Sequence, residues 1–312
     1  GDRVLTTPSF FAYLRIGDGC NNRCAYCAIP AIRGPLRSRS MEALVDEART
    51  LAAAGVKELV LVAQDVTLYG QDIDGKRHLP ELLDQLCAIE GLQWIRLLYC
   101  YPEHITEQLL DTIARQPKIV KYMDMPIQHC SGEVLSAMNR PGDEATLRAL
   151  IVHIRDKVPG IALRTTVMTG FPGETPEQFE QLCGFVRDMQ FERLGCFAFS
   201  PEEGTQAATM PDQVPDEEKE RRRDIVMQEQ ALVAARYNEQ QVGKTLEVLV
   251  ESYDRYAECW FGRSAADAPD IDGKVFIKSD SRLRLGQYIT VEVFDTMDYD
   301  LLAEEVTDEP AE

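Results

Sequence analysis

Cys20-Asn-Asn-Arg-Cys24-Ala-Tyr-Cys27 puts three thiols within eight residues. A closed structural zinc site takes four protein ligands in a tetrahedron, and no neighbouring Cys or His offers a fourth. A cubane four-iron cluster held by three cysteines keeps one iron open. A small molecule such as S-adenosylmethionine can bind there and be cleaved to a radical. The plain alternative is three small core residues. The polar Asn21, Asn22 and Arg23 between them speak against a buried strand. Cys20, Cys24 and Cys27 are the candidate metal ligands.

The other six cysteines (Cys87, Cys100, Cys130, Cys183, Cys196, Cys259) are scattered, with no second C-x2-C. Most read as small buried residues, and the nine together as reduced thiols and ligands rather than a disulfide framework. The first residues, Gly1-Asp2-Arg3-Val4-Leu5, lack a signal-peptide pattern and read as the middle of a protein. No apolar run approaches 18 residues, so no membrane span is expected and the location is cytoplasmic. The net charge is -19. A chain with that overall field repels nucleic acid and attracts basic partners. Residues 1–241 carry 26 Lys+Arg against 35 Asp+Glu, while residues 242–312 carry 7 against 17. The shorter C-terminal part is the more acidic per residue.

The elements that must position the thiols follow from periodicity. Apolar runs at 10–16, 58–63, 94–99, 122–127, 161–168 and 193–199 alternate with amphipathic stretches, the pattern of repeated β-α units. One helix starts at Ser40 as N-cap and stops at Gly55. Another opens with Thr175-Pro176-Glu177-Gln178, a capping box with Pro at the first helical position. The fold class is α/β: a partial (β/α)6 barrel of parallel strands, whose active residues gather at the C-terminal strand ends. The cysteine loop falls directly after the first strand. Pro211-Asp212-Gln213-Val214-Pro215 is a linker. A polar helix over 216–242 follows, its acids leading and arginines trailing, with the charges read as a solvated face. From Gly243 the pattern turns to short alternating strands at 246–250, 259–261, 273–278 and 288–294, a small antiparallel, OB-like barrel. The domains are thus 1–241, the large barrel with its linking helix, and 242–312, the small one.

Polar residues cluster at the later strand ends: Ala63-Gln64-Asp65-Val66-Thr67, Met125-Pro-Ile-Gln128-His-Cys130, Arg164-Thr-Thr-Val-Met168-Thr-Gly-Phe-Pro-Gly-Glu-Thr175 and Phe199-Ser-Pro-Glu-Glu-Gly-Thr205. Individually each has a plain reading. Gly170-Phe-Pro-Gly173 is a turn before a capped helix, and no Gly-Lys-Ser/Thr follows to make it a phosphate loop. His129 alone is more often structural. Arg33, Arg37 and Arg39 are either a solvated basic loop or substrate-facing. Their order along one common mouth is what gives the set weight.

The cysteine spacing, with aromatic Tyr26 before the third thiol, resembles the radical S-adenosylmethionine superfamily. Within it the downstream segments resemble the methylthiotransferases, which insert a CH3–S group at an unactivated carbon. The small barrel resembles the TRAM module that follows the large barrel in that family. The Met125–Cys130 and Phe199–Thr205 motifs, Met138-Asn-Arg-Pro141 and Arg263-Ser-Ala-Ala-Asp-Ala-Pro-Asp-Ile-Asp-Gly273 look closest to the type that modifies a small-subunit ribosomal protein, the RimO type. The resemblance implies one 4Fe-4S cluster on this chain and S-adenosyl-L-methionine as cofactors. It implies methylthiolation of the β-carbon of an aspartate in ribosomal small-subunit protein twelve, by way of a 5′-deoxyadenosyl radical. A ribosomal protein is a basic partner, as the net charge asks. The implied cofactor contacts are Tyr26, Gln64, Asp65, Gln128, Arg164 and Met168. Gln64 and Asp65 would accept from the methionyl amine, and Arg164 would pair with the carboxylate. No catalytic side chain is expected beyond the cluster ligands. The implied electron donor is of flavodoxin or ferredoxin type.

Family members also carry an N-terminal domain with three further cysteines and a second 4Fe-4S cluster. The chain is expected to be a core without it, limited alone to cofactor binding and cleavage. Two other functions fit parts of the sequence: a tRNA methylthiotransferase acting on a modified adenosine, and a non-catalytic ribosome-docking module with a structural cluster.

Overall fold

A computed structural model of the protein describes residues 5–307. Residues 1–4, part of the stretch read for a signal peptide, and 308–312 lie outside the described residues. Six strands form one parallel sheet in chain order: β1 (Phe11–Arg15), β2 (Glu58–Val62), β3 (Trp94–Leu97), β4 (Ile119–Asp124), β5 (Ala162–Thr169) and β6 (Arg193–Ala198). Sequential neighbours joined by helical crossovers are the expected outcome of repeated β-α units. The outermost strands β1 and β6 do not pair, so the barrel is partial.

Helix α1 (Met41–Ala53) begins where expected, with the Ser40 side chain accepting from the Ala43 N–H, a cap worth about 1 kcal/mol. It buries Leu44, Val45, Ala48 and Leu51 against the sheet. Helices α2 (Leu79–Cys87), α3 (Glu107–Arg115), α4 (Gly132–Ala137) and α5 (Glu144–Lys157) follow. Helix α6 (Pro176–Met189) carries the Thr175/Gln178 capping box. The fourth strand lies about three residues earlier than its apolar run suggested. Pro126 has no N–H to give the ladder, so β4 ends at Asp124. Only an isolated bridge between Gln128 and Val167 continues the pairing.

Alternation splits the sheet's side chains between two cores. Ala12, Leu14, Leu59, Leu61, Ile95, Leu97, Met123 and Leu163 face the helices. Phe11, Val60, Trp94 and Tyr122 face inward, where Leu249 and Ala268 of the C-terminal part meet them. That part is a closed five-stranded barrel: β7 (Thr245–Asp254), β8 (Cys259–Ser264), β9 (Val275–Lys278), β10 (Tyr288–Met297) and β11 (Asp300–Glu305) in the order β8-β9-β11-β10-β7. The sequence reading stopped at four strands. The fifth, β11, returns through a tight turn at Asp298 (φ 53°) and runs parallel to β9, the one non-antiparallel pairing of this barrel.

The seam between the two barrels is charged and buried. Glu58 and Arg96 are both fully buried. Glu58 accepts from Arg96 Nε at 2.8 Å and from Arg263 of β8. Arg96 Nη1 donates to Ala265 O at 2.8 Å, and Arg193 pairs with Asp267 at 2.7 Å. Burial alone would raise the Glu58 pKa, but the Arg96 and Arg263 guanidinium groups outweigh it and hold the carboxyl below its ordinary range. The segment 264–272 thereby fills the inner face that six strands alone leave open.

The long helix α7 (Asp216–Glu239) corrects one expectation. Its charges are not all solvated: Lys219 and Arg222 are buried, and Arg222 Nη1 reaches the Glu174 carboxylate at 2.8 Å. A helix packed on the edge strand β6 and on α6 must bury part of its circumference, whatever its composition.

Candidate functional site

The cysteine loop leaves β1 through a two-residue ladder, Gly17–Asp18 against Arg37–Ser38. Gly19 has φ 73°, and a Cβ there would lie 2.1 Å from Pro35 O, so only glycine admits the turn. The loop is then suspended by its backbone. Cys20 N donates to Gly34 O at 3.1 Å, Ala25 N to Met138 O at 2.9 Å, and Ala207 N to Ala25 O at 2.9 Å. Two backbone N–H groups aim at sulfur: Asn22 N at Cys20 Sγ (3.4 Å) and Ile29 N at Cys27 Sγ (3.5 Å). Burial pushes both thiol pKa values up. Such N–H donors stabilise thiolate charge in an iron–sulfur site.

Three thiols without a fourth ligand suit a cluster with one open iron better than a closed zinc site. Among the described residues no three His, Cys, Asp or Glu side chains gather closely enough to hold one metal ion. Ligands at 2.3 Å from a tetrahedral zinc stand about 3.8 Å apart. A cluster giving each thiolate its own iron needs a wider triangle, and this loop offers three thiols without a fourth. The remaining cysteines are all free. Five of them are buried and Cys259 is half-buried.

The strand ends converge on this loop. Asp65, buried after β2, is fully occupied. Its Oδ2 accepts from Asn22 Nδ2 (2.9 Å) and from His104 Nδ1 (2.8 Å), and its Oδ1 accepts from both the Thr67 N–H and the Thr67 hydroxyl. Asp65 thus ties the cysteine loop to the strand ends. Gln64 beside it is half-buried. Gln128 stands in the left-handed region (φ 68°), with backbone bonds to Thr166 and Met168 on β5. Tyr99 (φ 61°) and Asn139 (φ 58°) share that conformation in neighbouring connections. Non-glycine residues held there carry strain that surrounding structure must enforce. Met168 is paired in register with Phe197, which is 61% exposed. Arg164, four residues below Met168, already has two carboxylate partners: Asp272 at 3.1 Å and Asp124 at 3.7 Å.

Tyr26 closes the loop's inner side. Its hydroxyl accepts from Arg140 Nη1 at 3.3 Å, and burial, then nearby Cys24, drives its pKa up. Arg140 also forks onto Glu103 and stacks on Tyr101, whose hydroxyl is 4.0 Å from Cys24 Sγ.

His129 is structural here. Ser131 N–H donates to its Nδ1 (3.0 Å), so Nε2 carries the proton and donates to Glu174 at 2.7 Å. Burial would raise the Glu174 pKa; the bonds from His129, Arg222 and Gly170 N–H overcome it and hold the carboxylate low. Arg33 and Arg37 share Asp18, and Arg39 pairs with Glu47.

Tyr101, Glu103 and His104 were not read from the sequence, Asn22 only as a polar residue between the cysteines, and Arg140 only as part of a motif. Tyr101-Pro102-Glu103-His104 in the connection after β3 was the available signal: an aromatic, an acid and a histidine beyond a parallel strand's C-terminal end.

Residues 14–186 match the family model described as the radical SAM superfamily, and residues 242–306 match the TRAM domain. The chain is 45% identical over 302 residues to the ribosomal protein uS12 methylthiotransferase RimO of Clostridium acetobutylicum, covering 97% of this chain and 67% of that protein. Proteins of the same name from Acetivibrio thermocellus and Trichlorobacter lovleyi are 47% and 48% identical, over 98% and 97% of this chain and 68% and 67% of theirs. The chain thus spans about two thirds of these relatives' length. Among solved structures, the radical S-adenosylmethionine methyltransferase TsrM of Kitasatospora setae, with cobalamin and a [4Fe-4S] cluster bound, superposes with TM-score 0.54 at 21% identity, over 64% of this chain and 36% of that one. Coproporphyrinogen III oxidase (HemN) of Escherichia coli does so with TM-score 0.54 at 19% identity, over 73% and 53%. At those identities the likeness speaks for the fold.

Proposed function

The chain belongs to the RimO family of radical S-adenosylmethionine methylthiotransferases, and from that premise we propose that it methylthiolates the β-carbon of an aspartate in ribosomal protein uS12. Membership brings one 4Fe-4S cluster and S-adenosylmethionine to this chain as cofactors. The observation that carries the reading is the suspended three-thiol loop at the mouth of the parallel sheet, with backbone N–H groups aimed at Cys20 and Cys27 sulfur.

Cys20, Cys24 and Cys27 would hold the cluster. Together with the cofactor it supplies one-electron sulfonium cleavage and a carbon radical able to take a hydrogen atom from an unactivated carbon. The protein's residues do the positioning. Asp65, with Asn22 and His104, fixes the loop against β2 and β3. Gln64, Gln128, Met168 and Tyr26 would contact the cofactor, Gln128 from a left-handed backbone (φ 68°) that fixes its place. Arg164 would pair with the cofactor carboxylate only by giving up Asp272 of the small barrel (3.1 Å) or Asp124 of β4 (3.7 Å), so its part in the seam competes with that role. Exposed Glu202 and Glu203, after β6, stand at the mouth. With the net charge of -19 they suit a basic ribosomal protein.

We place the domain boundary at 241/242, between the end of α7 at Glu239 and the start of β7 at Thr245. The electron donor is of flavodoxin or ferredoxin type, and the location cytoplasmic, where ribosomal proteins are met; among the described residues no helix is long and apolar enough to cross a membrane. The test is anaerobic incubation of the cluster-loaded chain with uS12, S-adenosylmethionine and reductant. Cofactor cleavage should release 5′-deoxyadenosine, and methylthio addition to one uS12 aspartate, read by mass spectrometry, would show in addition that this chain alone completes the transfer.

A further inference from the structure

Arg140 is 4% exposed and sits behind the cysteine loop, between two tyrosines that flank Cys24. Nη1 donates to the Tyr26 hydroxyl (3.3 Å), and the guanidinium carbon lies 4.5 Å from the centre of the Tyr101 ring. The Tyr101 hydroxyl in turn is 4.0 Å from Cys24 Sγ. The opposite edge of the guanidinium, Nε and Nη2, forks onto Glu103 at 2.9 and 3.1 Å, and Nη2 also donates to Pro126 O at 3.2 Å. The cation therefore stands between Glu103 and the cysteine loop. The turn bearing it is gripped to that loop: Met138 O accepts from Ala25 N, and Asn139, at φ 58°, donates its side-chain amide to Arg23 O at 3.1 Å.

Reducing a thiolate-bound cluster adds one negative charge to it. A buried cation nearby favours that step and a buried anion opposes it, because little water intervenes to screen either. We propose that Arg140 and Glu103 are positioning residues of opposite sign that set the reduction potential of the cluster on Cys20, Cys24 and Cys27. Arg140, on the loop side, makes electron uptake easier, and Glu103 behind it limits the effect. The inference rests on the cluster assignment above and concerns the ease of reduction rather than cofactor chemistry. Sequence spacing gives no hint of it, since Arg140 lies 114 residues from Tyr26.

The test is a redox titration, followed by electron paramagnetic resonance, of the whole chain reconstituted anaerobically as wild type, Arg140→Gln, Arg140→Lys and Glu103→Gln. Arg140→Gln should lower the midpoint potential by about 59 mV or more, a tenfold shift in a one-electron equilibrium. Glu103→Gln should raise it, and Arg140→Lys, which keeps the charge but loses the fork, should stay close to wild type. A purely structural pair would move no potential, or move it the same way in both neutral variants, and either result overturns the proposal. If Arg140→Gln loads no cluster, Glu103→Gln decides alone, and an unchanged or lowered potential rejects the idea. A wild-type chain that takes up no cluster would instead defeat the cofactor assignment itself.

Discussion

Asp272 of the small barrel holds Arg164 of the large barrel at 3.1 Å, and accepts from the Tyr122 hydroxyl at 2.6 Å as well. The contact reaches across 108 residues of sequence and turns an inward-facing strand arginine into part of the seam. Asp124 approaches the same guanidinium from β4, and burial, eased by the Tyr99 N–H and Arg164, leaves the Asp124 pKa raised.

Replacing Arg164 with Ala strands two buried carboxylates. Removing one partner of such a pair costs about 3 kcal/mol, so the variant should unfold at clearly lower denaturant while binding S-adenosylmethionine within about twofold of wild type (a tenfold change being 1.4 kcal/mol). Calorimetric titration alongside a denaturant curve reads both. A tenfold loss of affinity at unchanged stability would return Arg164 to the cofactor.

Gly19→Ala should fold but fail to hold iron. The added Cβ would overlap Pro35 O, and φ 73° disfavours any side chain. The cheapest relief is to shift the loop that carries Cys20. Iron per chain after reconstitution should fall below half of wild type; a full complement of iron would show that the turn tolerates the change.

Acid should loosen the seam through Glu58. Its folded pKa is lowered, so its stabilisation is complete above the ordinary value of 4.5 and is lost as pH falls through the folded value. Glu58→Gln leaves Arg96 buried without a counter-charge and Arg263 with Glu251 alone (3.0 Å), a cost of about 3 kcal/mol near neutral pH. Melting curves from pH 7 downward should show the deficit of the variant shrinking toward acid. A deficit constant with pH would mean that Glu58 contributes packing rather than charge.

The exposed acids Glu202 and Glu203 offer a test of partner choice. Reversing both to Lys should weaken uS12 binding about tenfold at low salt, roughly 1.4 kcal/mol. The difference should fade as ionic strength rises. Cofactor cleavage without uS12 should be unaffected. Equal binding by both proteins at low salt would remove this loop from the recognition surface.

Much of this was legible in the chain. Alternating apolar runs marked the six parallel strands, Ser40 and Thr175 marked two helix starts, and the three-cysteine loop lies after β1 as its position in the chain suggested. The misses have separate causes. The position of β4 turned on Pro126, and β11 was hidden in an acid-rich end whose pattern Asp-Leu-Leu-Ala-Glu-Glu is weakly alternating. The site's supporting contacts depend on which strand ends become neighbours. Asn22 meets Asp65 across 43 residues and Arg140 meets Glu103 across 37; neither pairing follows from local spacing. Asp65 reads from the sequence as an acceptor for the methionyl amine, and only the fold reveals that both its oxygens are already engaged.

The most direct measurement is 5′-deoxyadenosine formation by the anaerobically reconstituted chain given S-adenosylmethionine and a chemical reductant, with a Cys24→Ser variant in parallel. The account predicts product from the wild type and none from the variant. An intact wild-type cluster that cleaves no cofactor, or equal product from the variant, would contradict it.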